Sequence, residues 1–249
     1  MEFSDVKYSQ YLQILREELL PAMGCTEPIA MAYAAARARQ TLGKMPDKID
    51  IVISGNIIKN VKSVVVPNTG GLKGIAAAVA AGTVVGDADR QLEVLSYVKP
   101  EEIPKIAEFM DKCQMTVIKS DSGKLLDIDL HMYSGTDSVR LRICDNHTNI
   151  VLIEKNGEVL FKKDSDDGES GETDRSVLNV RDILDFAQSV RLEDVSDMLG
   201  RQIEYNLAIS EEGLRGNYGA SIGKTLLETR GNDVRVRARA QAAAGSDAR

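Results

Sequence analysis

Hydrophobic positions first recur with a helical period at Tyr8, Tyr11, Leu12, Leu15 and Leu19, and Pro21 closes that run. An alanine-rich stretch over 28–42 predicts a second helix, with Thr26 as N-cap and Pro28 in the first turn. Residues 48–54 alternate as a strand, 55–59 read as a turn or short helical piece, and the β-branched run 61–66 predicts another strand ending at Pro67. A glycine-rich loop over 67–74 then leads into a small-residue helix over 75–85, with further helices expected at 90–97 and 100–112. From 114 to 163 the pattern is mostly strand, at 115–118, 126–132, 138–144, 149–154 and 159–162, broken by Ser-Gly, Gly-Thr and Asn-Gly turn signals. Asn156-Gly157 marks a tight hairpin between the last two. Helical patterning returns at 180–189, 193–210, 218–229 and from 233 onward.

The pattern predicts an α+β fold, a mixed sheet with flanking helices followed by an incomplete helical region. The expected division is an α+β domain over 1–163, an acidic flexible loop or linker over 164–174 that holds no apolar residue, and a helical region over 175–249. Gly245-Ser246-Asp247-Ala248-Arg249 ends the chain with no element after it, so the expectation is the start of a larger, truncated domain. An ordinary frayed tail is the alternative.

Composition narrows the class. With 249 residues, 43% hydrophobic and 28% charged, the chain can bury a substantial core. A net charge of -7 without an aromatic and basic patch argues against nucleic acid as partner. No stretch approaches the roughly 20 apolar residues of a membrane span, and the N-terminus lacks a basic segment before an apolar core. A cytoplasmic protein acting on small molecules is expected. Three widely spaced cysteines, Cys25, Cys113 and Cys144, fit a reducing compartment.

Candidate chemistry clusters in a few segments. Cys25 precedes the alanine-rich helix, where amide groups and the positive dipole end favour an anion such as a thiolate or a metal cluster. A small buried cysteine in a helix turn is the plainer reading. Asn68, Thr69 and Gly70 lie in a loop whose amides could form a nest for a carboxylate or phosphate, though neither Walker nor dinucleotide spacing is present. His147, followed by Thr148 and Asn149, offers acid-base chemistry or substrate hydrogen bonds, while His131 within a strand reads as structural. Asn56, Lys59 and Asn60 form a polar cluster that reads by default as surface. There is no Cys-x-x-Cys and no lysine marked for a Schiff base, which disfavours a pyridoxal-phosphate lyase.

Taken in order, Gly24-Cys25-Thr26-Glu27-Pro28, the 54–60 segment, Val66-Pro67-Asn68-Thr69-Gly70, His147-Thr148-Asn149-Ile150-Val151 and the 245–249 segment resemble the L-cysteine desulfidases and the iron-sulfur L-serine dehydratases. The resemblance implies the N-terminal portion of a lyase of amino-acid catabolism, eliminating sulfide or water from cysteine or serine to give pyruvate and ammonia. It further implies a 4Fe-4S cluster in the complete enzyme, with Cys25 as a metal ligand. It also implies a substrate site at Asn68, Thr69, Gly70 and Asn149, with His147 and Thr148 as catalytic groups. The remaining cluster ligands would lie in a missing C-terminal half or partner subunit, so this chain alone would be inactive and would not hold the cluster; a homo-oligomer is also open. A non-catalytic amino-acid-binding or accessory subunit is the alternative.

Overall fold

A computed structural model describes residues 1–2, 4–22, 24–163 and 173–247. The fold is α+β, as the hydrophobic pattern predicts, with a six-stranded mixed sheet of order β2-β1-β3-β4-β5-β6. Two compact units divide it, one of Met1–Pro21 with Ser165–Ser246 and the other built on Ala22–Asp164.

In the sheet unit, helix α2 (Thr26–Leu42) leads to β1 (Lys48–Ile53), the short helix α3 (Gly55–Val61) and helix α4 (Gly74–Val85). Helix α5 (Ile103–Lys112) then precedes β2 (Gln114–Lys119), β3 (Asp127–Ser134), β4 (Asp137–Cys144), β5 (Ile150–Lys155) and β6 (Glu158–Lys162). Only β1 and β2 pair in parallel; the other neighbours are antiparallel. Alternation decides which face is covered. Ile49, Ile51, Ile53, Ile128, Leu130, Met132, Leu141 and Ile143 are fully buried within the core that α2 and α4 complete. The opposite face carries Asp129, Arg140, His131 and Glu154, joined by ion pairs.

Helices α2 and α4 run side by side in the same direction. Gly82 abuts Ala32 and Gly86 abuts Ala36, an equal advance along both helices. A Cβ on Gly82 would stand 2.0 Å from the Ala32 carbonyl oxygen, so only glycine permits this approach. At Asn156-Gly157 both residues have positive φ, 52° and 83°, the backbone that the hairpin between β5 and β6 requires.

Two local expectations are corrected. Residues 61–66 are not a strand, because Ser54 caps α3, Val61 completes that helix with its side chain in the core, and the following segment makes only a single bridge, Val65 to Lys73. The helix expected at 90–97 is instead a 3-10 turn over Ala88–Glu93, broken at Gln91 where φ is 48°.

The second unit contains α1 (Val6–Glu18), α6 (Val180–Ser189), α7 (Leu192–Arg215), α8 (Ile222–Arg230) and α9 (Arg235–Asp247). Its core gathers Tyr8, Tyr11 and Leu12 of α1 with Phe186, Val195 and Met198. Helix α1 therefore groups with the later helices, unlike the division at 163 expected from the sequence. The reason is long-range packing, with the Phe186 ring 5.6 Å from that of Tyr8 and 5.2 Å from that of Tyr11. The acidic linker expected at 164–174 lies outside the described residues, apart from Thr173 and Asp174.

Candidate functional site

The topology collects chemistry at one end of the sheet. Strand β1 ends where β3 begins, Ile53 opposite Ile128, and β4 ends beside that same point, Cys144 opposite Asp127. The Ser54 amide donates to the Asp127 carbonyl, and the Ser54 hydroxyl to that of Leu125, which fixes the start of α3. The last residues of α3 then reach α2: the Asn60 side-chain amide donates to a Glu27 carboxylate oxygen at 3.0 Å.

His147 joins this group from the turn after β4. That turn is built by Asp145 at φ 68° and by backbone bonds from Asn146 to Cys144 and from Asn149 to Asn146. The His147 Nε2 atom is buried and has no hydrogen-bond partner. Burial pushes its pKa below the ordinary 6.5, while the Glu27 charge pulls it partly back up. The imidazole is therefore neutral near pH 7, with one ring nitrogen turned away from water and a carboxylate close by. Such an orphaned atom carries a desolvation cost that a bound hydrogen-bonding group would remove.

Cys25 is the N-cap residue of α2, in place of the expected Thr26, and is half-buried. Cys113 and Cys144 are buried, and burial pushes their thiols up to about 11 and about 12. The Cys144 thiol also donates to Asp127. Both are inert at neutral pH. Among the described residues, no group of three or more His, Cys, Asp or Glu could hold a metal ion.

The other expected site residues are engaged with their own neighbours. The Asn68 amide donates to the Leu95 carbonyl, and the buried Thr69 hydroxyl to that of Val66 at 2.7 Å. Gly70 lies against Ile103 with φ 70°. Asn149 donates to the Cys144 carbonyl and accepts from Lys163, and the Thr148 carbonyl accepts from the Ile150 amide. The structure thus assembles His147, Glu27 and Asn60 at the end of α2 that Cys25 caps. Sequence reasoning left Glu27 without a role and read Asn60 as surface. A positional signal was available for Asn60 alone, which lies in the short helix that directly follows the end of β1.

Comparison with known proteins changes the family reading. The chain is 54% identical over its full length to a UPF0597 protein of Desulfitobacterium hafniense, covering 58% of that protein. It is 47% identical over 97% of its length to one from Lachnoclostridium phytofermentans, covering 58% of it, and 45% identical over its full length to one from Treponema denticola, covering 59%. No family model and no solved structure matches. The chain thus spans less than two thirds of the length of these curated relatives. Their names describe neither an L-cysteine desulfidase nor an L-serine dehydratase. The resemblance drawn from the five motifs, the iron-sulfur lyase it implied, and the assignment of this chain as the N-terminal portion of such an enzyme are corrected accordingly. No helix of the described residues is long and apolar enough to cross a membrane.

Proposed function

We propose that the end of the sheet unit around His147 binds a small amino acid and offers it a proton acceptor. The observation that carries this reading is the buried, unpartnered Nε2 of His147 beside Glu27. Three chemical features suit a zwitterion. The α2 N-terminus presents backbone amides to a carboxylate, the Glu27 carboxylate attracts an ammonium group, and a neutral imidazole takes up or returns a proton on the ligand. Asn60 holds Glu27 by one oxygen, which orients the carboxylate. Cys25 borders the same helix end as a wall residue of the site.

The test is calorimetric titration with L-serine and L-cysteine, followed in parallel by the His147 ring proton in NMR spectra. Saturable heat and a shift of that proton are expected, with both lost in His147→Gln and weakened about tenfold in Asn60→Ala, the equivalent of one hydrogen bond to a charged group. A flat titration up to the solubility of both amino acids, with an unmoved His147 signal, overturns the proposal.

A further inference from the structure

We infer that helix α7 is the docking surface for a basic amphipathic helix supplied by polypeptide outside these 249 residues. Along α7, Leu192, Leu199, Ile203 and Leu207 recur at helical spacing and form one stripe. Leu192, Ile203 and Leu207 are exposed by 77%, 58% and 42%. Every residue from 200 to 208 is exposed, so nothing among the described residues covers the middle of this helix. Its buried residues Val195, Met198 and Gly213 lie on the flank that faces its own unit, Leu199 packs partly against that unit's core, and buried Ser210 closes the stripe at its C-terminal end, so the open stretch runs from Ile203 to Leu207.

The other flank identifies the occupant. At 100° per residue, Glu193, Asp197, Glu204 and Glu211 all fall along that border of the stripe. Glu211 makes a long ion pair with Arg239 at 3.8 Å; Glu193, Asp197 and Glu204 have no ion-pair partner among the described residues. An apolar stripe with one acidic border suits a helix whose own apolar stripe is bordered by lysine or arginine. A second copy of α7 would bring the four border acids against four, with only Arg215 on the same border to offset them on each side, which disfavours self-pairing. The curated relatives supply length for such a segment, since about two fifths of each lies beyond the match.

Fluorescence polarisation with a labelled 18-residue leucine-lysine peptide, apolar at positions i, i+3, i+4 and i+7, tests the surface. The 249-residue chain should bind it saturably at low ionic strength, and the Ile203→Glu/Leu207→Glu variant should bind at least tenfold more weakly. An Asp197→Lys/Glu204→Lys variant, which touches only exposed side chains and leaves the fold intact, should also weaken the lysine peptide and gain affinity for a leucine-glutamate peptide. Unchanged binding of the lysine peptide in the charge-reversed variant overturns the inference. So does a dimer in sedimentation equilibrium that Ile203→Glu/Leu207→Glu dissolves, because the occupant would then be a second copy.

Discussion

His147 shows how one side chain acquires its chemistry from residues far away in sequence. Nothing in the order Asp145-Asn146-His147-Thr148-Asn149 foretells that Nε2 is left without a partner beside Glu27, 120 positions earlier. Its lowered pKa has a measurable consequence. The unfolded chain takes up a proton near the ordinary 6.5 while the folded chain resists it, so the stability due to this group is complete above pH 6.5. That stability is lost as pH falls through the lowered folded value. Urea midpoints measured from neutral pH downward should fall in this window, and the fall should be shallower in His147→Gln. An identical pH slope in the two proteins would show that His147 does not titrate differently on folding. At the same scale, the roles of Asn68 and Thr69 were only half legible. Their positions in a turn follow from the glycines around them, but the carbonyls of Leu95 and Val66 that engage their side chains depend on how that turn folds back.

Elements were more legible than contacts. The alternation of Ile128, Leu130 and Met132 with Asp129 and His131, and of Leu141 and Ile143 with Arg140 and Arg142, marks β3 and β4 because one face of the sheet is apolar and the other charged there, and a one-residue slip would exchange the two. The run over 61–66 misled because β-branched residues suit the last turn of α3 and an irregular crossing as well as a strand, and burial of Val61 decides for the helix. The two alanine-rich helices were legible as helices, but their parallel contact was not, since it depends on Gly82 meeting Ala32 across 50 residues. The same substitution should therefore have opposite effects in two helices. Gly82→Ala drives a methyl group into the Ala32 backbone and should cost about 3 kcal/mol or more in urea unfolding. Gly200→Ala, at an exposed α7 position with nothing within 4 Å of the new atom, should stabilise its helix by about 1 kcal/mol. Equal effects would refute the close approach of α2 and α4.

The whole molecule divides its stability unevenly between its units. The sheet unit holds a continuous core built from most of α2 and α4 and the inward-facing residues of β1, β3 and β4, whereas the helical unit centres on six buried residues. Hydrogen exchange in increasing urea should release α6 and α7 at lower denaturant than α2 and β3. Simultaneous release of all four would mean that the units unfold as one. Membership of α1 in the helical unit was the least legible feature of the layout, because Pro21 and the cysteine turn follow it directly while its ring contacts lie at Phe186. Within the sheet unit, the parallel course of α2 and α4 also gives the structure an electrical direction. At their C-terminal ends, the Lys155 ammonium bonds the Thr41 carbonyl of α2 at 2.9 Å and the Arg39 guanidinium bonds the Thr83 carbonyl of α4 at 3.1 Å. Both negative poles are thus plugged by cations. At the opposite ends only Glu27 stands in a first turn, and α4 has no acidic residue there. The pair behaves as a battery shorted at one terminal, with its remaining voltage directed at whatever approaches Cys25.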